Sequence, residues 1–297
     1  MKKVILCLTL IIFSLFSFVS CTNVFNNFNY IYEDADKYLT GSTSLDDIEK
    51  VDINWISGKI YISNSLHDEN SFFEEYKVEL EDQYKLHYYV ENKTLYIKFT
   101  KSGKYSWNPV SKDLHINFSK EDSLIRDFVV NSVSADLYMN GVLVRQMKSV
   151  SVSGDVELKN TNITNKIDIE TVSGDVDVEF EKNMEKVNIT TVSGDVKVTS
   201  YLLEEMNINT VSGDVEYYMN KFDSAGPKDL DVETVSGNIK LFIKETSNVT
   251  IDFETTSGMF ICQLDEKIQN GKYIIGNGND SYDIETVSGD FIVKPLN

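Results

Sequence analysis

Three acidic pairs carry the first suggestion of chemistry: Asp231 and Glu233, Asp252 and Glu254, Asp283 and Glu285, each spelled D-x-E. Residues two apart on a strand point the same way. Hard oxygen donors on one face suit a cation such as Ca²⁺, or the basic surface of a partner. On successive coils the pairs would form a two-by-three grid with about 4.8 Å between rows. Like charges at that distance repel by about 1 kcal/mol per pair in water, and by several-fold more at a protein surface. The competing reading is a solvated acidic face, because a flat strand surface offers a cation fewer oxygens than a wrapped loop.

A second acidic row follows serial Ser-Gly dipeptides: Asp155, Asp175, Asp195, Asp214 and Asp290, with Asn238 and Met259 breaking it. Short polar side chains at corners accept backbone N–H bonds, so these read as turn supports. The three histidines, His67, His87 and His115, show no Ser-His-Asp spacing and no metal-ligand pattern. His87 lies between the inward-phase Leu86 and Tyr88, and His115 between Leu114 and Ile116, so both are expected to face solvent. Tyr88, Tyr89, Tyr96, Tyr105 and Trp107 could form a sugar-stacking platform, but ordinary strand packing is the better explanation of them. Cys262 shares a strand phase with Phe260 and Leu264 and reads as a small buried apolar residue. A glycan lyase or hydrolase would need a mixed acid–base cluster. Beyond residue 100 the arginines are Arg126 and Arg145 alone. No catalytic residue, metal site or cofactor is predicted.

The elements that hold these residues repeat. Corner glycines fall at 154, 174, 194, 213, 237, 258 and 289, with gaps of 20, 20, 19, 24, 21 and 31 residues. Ala135 extends the series upstream by 19. In KIDIETVSGDVDVEF, Ile167, Ile169 and Thr171 alternate with Asp168 and Glu170; Val176, Val178 and Phe180 alternate with Asp177 and Glu179. Period-two alternation rich in β-branched residues means strands with one buried face. The glycine is expected where the chain turns at φ > 0. A lone two-strand unit cannot bury its apolar face, whereas stacked coils can, with the Val before each Ser-Gly (Thr256 excepted) and the Thr before it, from Thr171 to Thr286, forming ladders. The fold class is therefore all-β: a β-solenoid of eight consecutive coils of about 20 residues over 128–297. An earlier coil with the same phase, KVDINWISGKIYI at 50–62, belongs to an N-terminal β-rich cap over 46–127. The final segment, Phe291 to Asn297, is expected to leave an open edge that Pro295 blocks, giving a monomer.

Residues 1–20, MKKVILCLTLIIFSLFSFVS, are two lysines, an apolar run and small residues before Cys21. This is an export signal rather than a membrane span. Phe18-Val19-Ser20-Cys21 reads as a lipobox with Phe where Leu is usual, so Cys21 is the expected lipid attachment site and 21–45 a polar tether. With Cys7 in the signal and Cys21 lipidated, Cys262 alone remains and an internal disulfide is excluded. The 28 Lys+Arg against 47 Asp+Glu give a net charge of −19, which sets nucleic-acid binding aside.

DADKYLTGS (34–42), VDINWISGKIYI (51–62), YKLHYYVENKTLYIKFTKSGK (84–104) and the serial TVSGDV corners together resemble a bacterial family of β-strand-repeat proteins. That family is a domain of unknown function carrying an adhesin label, similar to the head domains of autotransporter-like adhesins. The resemblance spans roughly 33–297. It implies a β-helix-like solenoid on the outer side of a membrane, with no catalytic residues to carry over. The function it implies is a non-catalytic, lipid-anchored binding or scaffold module for an extracellular or envelope protein or a glycan. An accessory role in envelope-stress sensing, and more remotely a glycan-active enzyme, are the alternatives.

Overall fold

A computed structural model describes residues 30–42, 47–65, 71–104, 111–119, 125–180, 182–219 and 226–296. Among the described residues, apart from one 3-10 turn, Asp82–Tyr84, every element is a strand. The N-terminal part holds β1 (Leu39–Thr40), β2 (Lys50–Ser65), β3 (Ser71–Tyr76), β4 (His87–Glu91), β5 (Thr94–Lys98) and β6 (Lys112–Ser119). Then come β7 (Ile125–Asn140), β8 (Leu143–Val150), β9 (Val156–Glu170), β10 (Val176–Phe180), β11 (Met184–Thr190), β12 (Val196–Ser200), β13 (Leu203–Asn209) and β14 (Val215–Met219). The chain closes with β15 (Pro227–Thr234), β16 (Ile239–Ile243), β17 (Val249–Thr255), β18 (Phe260–Cys262), β19 (Lys267–Gln269), β20 (Lys272–Ile275), β21 (Asp280–Thr286) and β22 (Phe291–Pro295).

Each coil sends one strand along a first face, turns at the Ser-Gly corner and returns along a second face. Parallel pairing carries equivalent positions from coil to coil: Ile169 lies beside Ile189, Ile189 beside Ile208, Ile208 beside Val232. On the second face Val178 lies beside Val198 and Val198 beside Tyr217. These inward residues are buried in one continuous core. The identical alternation of every coil is what lets apolar rows coincide without a register slip.

The corners explain the repeated glycine, though not through φ. None of the seven serial corner glycines adopts the left-handed region; only Gly58 does, at φ 101°. A Cβ on Gly194 would instead sit 1.9 Å from the Gly174 carbonyl oxygen, and the other serial corners are equally tight. Backbone stacks directly on backbone there. The threonine three residues before each corner glycine, or Ser151 before Gly154, accepts the glycine N–H through its side-chain oxygen, as Thr171 does from Gly174 at 3.0 Å. Ala135 stands beside Gly58 in the same column, where β2 and β7 run unbroken through their corners.

The coils do not stack in chain order. From one end of the corner column to the other the neighbours run Lys112, Gly58, Ala135, Gly154, Gly174, Gly194, Gly213, Gly237, Gly289 and Gly258. The last coil of the chain is thus inserted between the two before it. β21 pairs with β15 on one side and β17 on the other, and β22 with β16 and β18. The expected run of eight consecutive coils and the open edge at Phe291–Asn297 are both corrected by this. Phe291 and Val293 are fully buried, so that coil has the complete apolar phase an internal position needs. Pro295 still ends a ladder: Leu296 N–H donates to the Ile243 oxygen, while pairing with β18 stops at Gln263.

Candidate functional site: an uncompensated acidic face

The outward columns of the first face change character along the solenoid. Near the cap, an open groove of about 670 Å³ is lined by Lys50, Asp52, Tyr96, Asp127, Lys166 and Asp168 among others. Most of its charges are paired, Lys50 with Asp127 and Lys166 with Asp168 at 2.7 Å, while Asp52 accepts from Asn54 Nδ2 at 2.7 Å. Farther along, the column turns to asparagine. Asn188 Nδ2 donates to Asp168 Oδ1 at 2.6 Å, and Asn207 Nδ2 to Asn188 Oδ1 at 3.1 Å. Beyond Asn207 come three aspartates in register, Asp231, Asp283 and Asp252, flanked by Glu233, Glu285 and Glu254. The six residues do meet on one face, but the intercalated coil places Asp283 and Glu285 in the middle row rather than at the end.

Among the described residues, Asp252 alone in this grid is ion-paired, with Lys272 at 2.9 Å. Partial burial, then the neighbouring carboxylates, raise Asp231 above the usual aspartate range. The same causes push Glu233 up to about 7, with Asp231 and Glu285 as its crowding neighbours. Asp283 and Glu285 are also raised, chiefly by burial. The face therefore stores repulsion that a cationic surface would relieve. Among the described residues no group of three or more His, Cys, Asp or Glu side chains is arranged to hold a metal ion. The columns run along a flat sheet and do not converge.

The corner aspartates work between coils rather than within their own turn. Asp155 Oδ1 accepts the N–H of Asp175, Asp175 that of Asp195, and Asp195 that of Asp214, each at 2.8 Å. Asp214 accepts from Asn238, Asn238 from Asp290, and Asp290 from Met259. Met259 stands in the outermost coil, where no further corner follows to donate.

His87 corrects the expectation of exposure: it is buried, with Nδ1 2.9 Å from the Lys85 oxygen, on the strand that β1 joins at Thr40. Burial is also what lowers its pKa. His115 points outward but is sandwiched between the rings of Phe73 and Tyr61, at 4.7 and 4.9 Å. Tyr89 and Tyr96 stack on each other at 4.7 Å, and Tyr38 meets Tyr89 at the same distance, so these faces pack against neighbours. Cys262 is half-buried. Cys21, His67, Tyr105 and Trp107 lie outside the described residues.

Two features escaped the sequence reading. Lys112 is 1% exposed, beneath the Trp55 and Phe99 rings, with Nζ donating to the Tyr84 and Phe99 oxygens and 2.7 Å from Glu74 Oε2. Its parity with Leu114, Ile116 and Phe118 was the available signal. Desolvation lowers its pKa to about 8, with Glu74 opposing. The second is the docking of the N-terminal segment onto the cap. Tyr30 Oη donates to the Asn54 oxygen at 3.1 Å and accepts the Phe99 N–H at 2.7 Å, and Tyr32 Oη donates to the Thr100 oxygen at 3.0 Å.

Residues 44–294 match the family model described as Toastrack DUF4097. The chain belongs to that family. Among solved structures it is similar to a protein from Clostridium sporogenes, provisionally described as a cell adhesion protein, at 16% identity and TM-score 0.25 over 87% of this chain and 99% of that one. It is also similar to a provisionally described adhesin from Bacteroides fragilis, at 13% identity and TM-score 0.38 over 69% of this chain and 97% of that one. A search of curated proteins gives no match.

Proposed function

We propose that this Toastrack protein is a non-catalytic binding or scaffold module, held to a membrane by a lipidated Cys21, whose acidic face meets a basic patch on an envelope or extracellular partner. The observation that carries the reading is the contrast along one face: carboxylates neutralised by lysines near the cap, and a six-carboxylate grid with a single lysine at the far end. The polar groups that could have served chemistry are engaged as backbone acceptors along the corner row.

The docked N-terminal segment gives the rod a direction. Eight residues, 22–29, separate Cys21 from Tyr30, and fully extended they reach about 28 Å. The corner column rises about 43 Å, from nine steps of about 4.8 Å. A lipid on Cys21 therefore leaves the cap nearest the membrane and the acidic rows farthest from it. Two experiments test this. Labelling with a palmitate analogue should mark the wild type and not Cys21→Ala. An array of matrix proteins and glycans should retain the full chain through basic proteins, with retention lost at 0.5 M NaCl and in Asp231→Asn/Glu233→Gln/Asp283→Asn/Glu285→Gln. Equal labelling of Cys21→Ala ends the anchor; retention indifferent to the quadruple change ends the acidic face.

A further inference from the structure

The two ends of the solenoid are finished differently. At the cap end both faces are covered by antiparallel strands: β3 lies on β6, and β4 with β1 lies on β5. At the opposite end only the first face is covered, β20 lying antiparallel on β17 and β19 on β20. The second face stops at β18, which among the described residues pairs with β22 alone. The first face therefore overhangs the second by two strands, or about 10 Å.

The inner side of that overhang is apolar. Register sets Ile251, Tyr273 and Ile268 in one inward column. The Tyr273 ring meets Phe260 at 4.0 Å, while Ile268 is 68% exposed. Along the edge, Met259 and Ile261 are exposed too, at 61% and 40%. Phe291 N–H donates to the Met259 oxygen and Gln263 N–H to the Val293 oxygen. Odd-numbered residues of β18 thus turn their backbone toward β22, and Phe260 and Cys262 turn theirs toward the vacant side. The stretch 258–264, GMFICQL, carries neither a charge nor a proline, the usual protections of an exposed edge. Met259 also replaces the corner aspartate that would accept the N–H of a further coil.

A second copy does not fit this step. Antiparallel pairing of two β18 strands about Ile261 would bring both overhanging hairpins to the same level, where they collide. A single extended segment does fit. We propose that the free edge of β18 receives an extended peptide segment of a partner protein as an added strand, with apolar residues at alternate positions packing against Tyr273 and Ile268. Basic flanks would suit it, since Asp265 and Glu266 adjoin the slot and the chain carries a net charge of −19. This site is separate from the acidic grid and independent of Cys21, so either reading can fail without the other.

The test uses the purified full chain and a fluorescein-labelled peptide, Lys-Val-Thr-Val-Thr-Val-Lys, followed by fluorescence anisotropy. Saturable binding is expected, weakened at least tenfold by Ile268→Asp, which alters an exposed side chain, and by Cys262→Pro, which removes an outward N–H without touching the β22 ladder. Peptides N-methylated at every second residue, in one phase or the other, should differ, the phase that meets the edge losing binding. No saturation up to millimolar peptide, or equal binding of both N-methylated forms, overturns the proposal. So does concentration-dependent dimerisation of the free protein that Cys262→Pro abolishes, because that outcome gives the edge to a second copy.

Discussion

Replacing Gly194 by alanine separates two explanations of the repeated corner. The new Cβ would lie 1.9 Å from the Gly174 oxygen and 2.7 Å from its carbonyl carbon, where ordinary contact begins at 3.4 Å. Relief requires the two backbones to part by about 1.5 Å. That opening breaks the Ser193 N–H bond to the Val172 oxygen at 3.0 Å and the Asp195 N–H bond to Asp175 Oδ1 at 2.8 Å. Two hydrogen bonds at about 1 kcal/mol each, plus overpacking of about 1–3 kcal/mol, give about 3–5 kcal/mol. At about 2–4 °C per kcal/mol for a protein of this size, Tm should fall by about 6–20 °C in a far-UV circular dichroism melt. Gly271→Ala is the control: φ there is 81°, with nothing within 4 Å of an added Cβ. It should cost only the left-handed penalty of about 1 kcal/mol. If Gly271→Ala proves the more damaging of the two, or Gly194→Ala melts within 2 °C of wild type, close stacking is not why the corner is glycine. Because solenoids can open locally, hydrogen exchange of residues 190–200 should report the same order independently.

Three further outcomes are expected. Glu233, raised to about 7, holds a proton in the folded state that the unfolded chain releases near its ordinary value, so stability should fall as pH rises from about 4.5 to 7. After allowance for solvent screening the change is about 1 kcal/mol, seen as a higher Tm at pH 5 than at pH 8 and flattened in Glu233→Gln; a profile unchanged in Glu233→Gln counts against it. Lys112→Met leaves Glu74 buried without its cation and should cost about 3–5 kcal/mol in urea unfolding, with Glu74→Gln in the same chain recovering part of it. Calcium at millimolar concentration should raise Tm no more than NaCl of equal ionic strength, because the grid carboxylates do not converge; Ca²⁺-specific stabilisation lost in Asp252→Asn/Glu254→Gln would restore a metal site.

Strands, corners and the inward phase were legible because each rests on spacing within a coil. Val176, Val178 and Phe180 alternate wherever the coil ends up, and all three are buried. Glycine was read correctly as a corner and incorrectly as a left-handed residue, since a sequence shows no contact between distant backbones. The acidic grid was legible as a set because Asp231, Asp252 and Asp283 hold the same position in their coils; its row order was not. Burial of His87 was hidden too, as alternation within one strand cannot reveal what packs over its outward phase.

Stacking order escapes the sequence because near-identical coils pair almost interchangeably. Parallel ladders between copies of one motif differ little in their backbone bonds, so small differences between coils select the neighbours. The corner row records that selection. A corner aspartate is useful only if another coil lies beyond it to donate an N–H, and the aspartate or asparagine acceptors continue from Asp136 to Asp290. The row stops at Met259, in the coil that stacking order makes outermost though chain order does not. Asp290, by contrast, still has a recipient, Met259 N–H at 2.9 Å. An acidic corner followed by its coil's complete apolar phase marks an internal level, and an apolar corner marks the end. Read that way, the one serial coil whose corner aspartate is replaced by a residue unable to accept was the terminal level all along, and the strand beside it is where the solenoid is open to a partner.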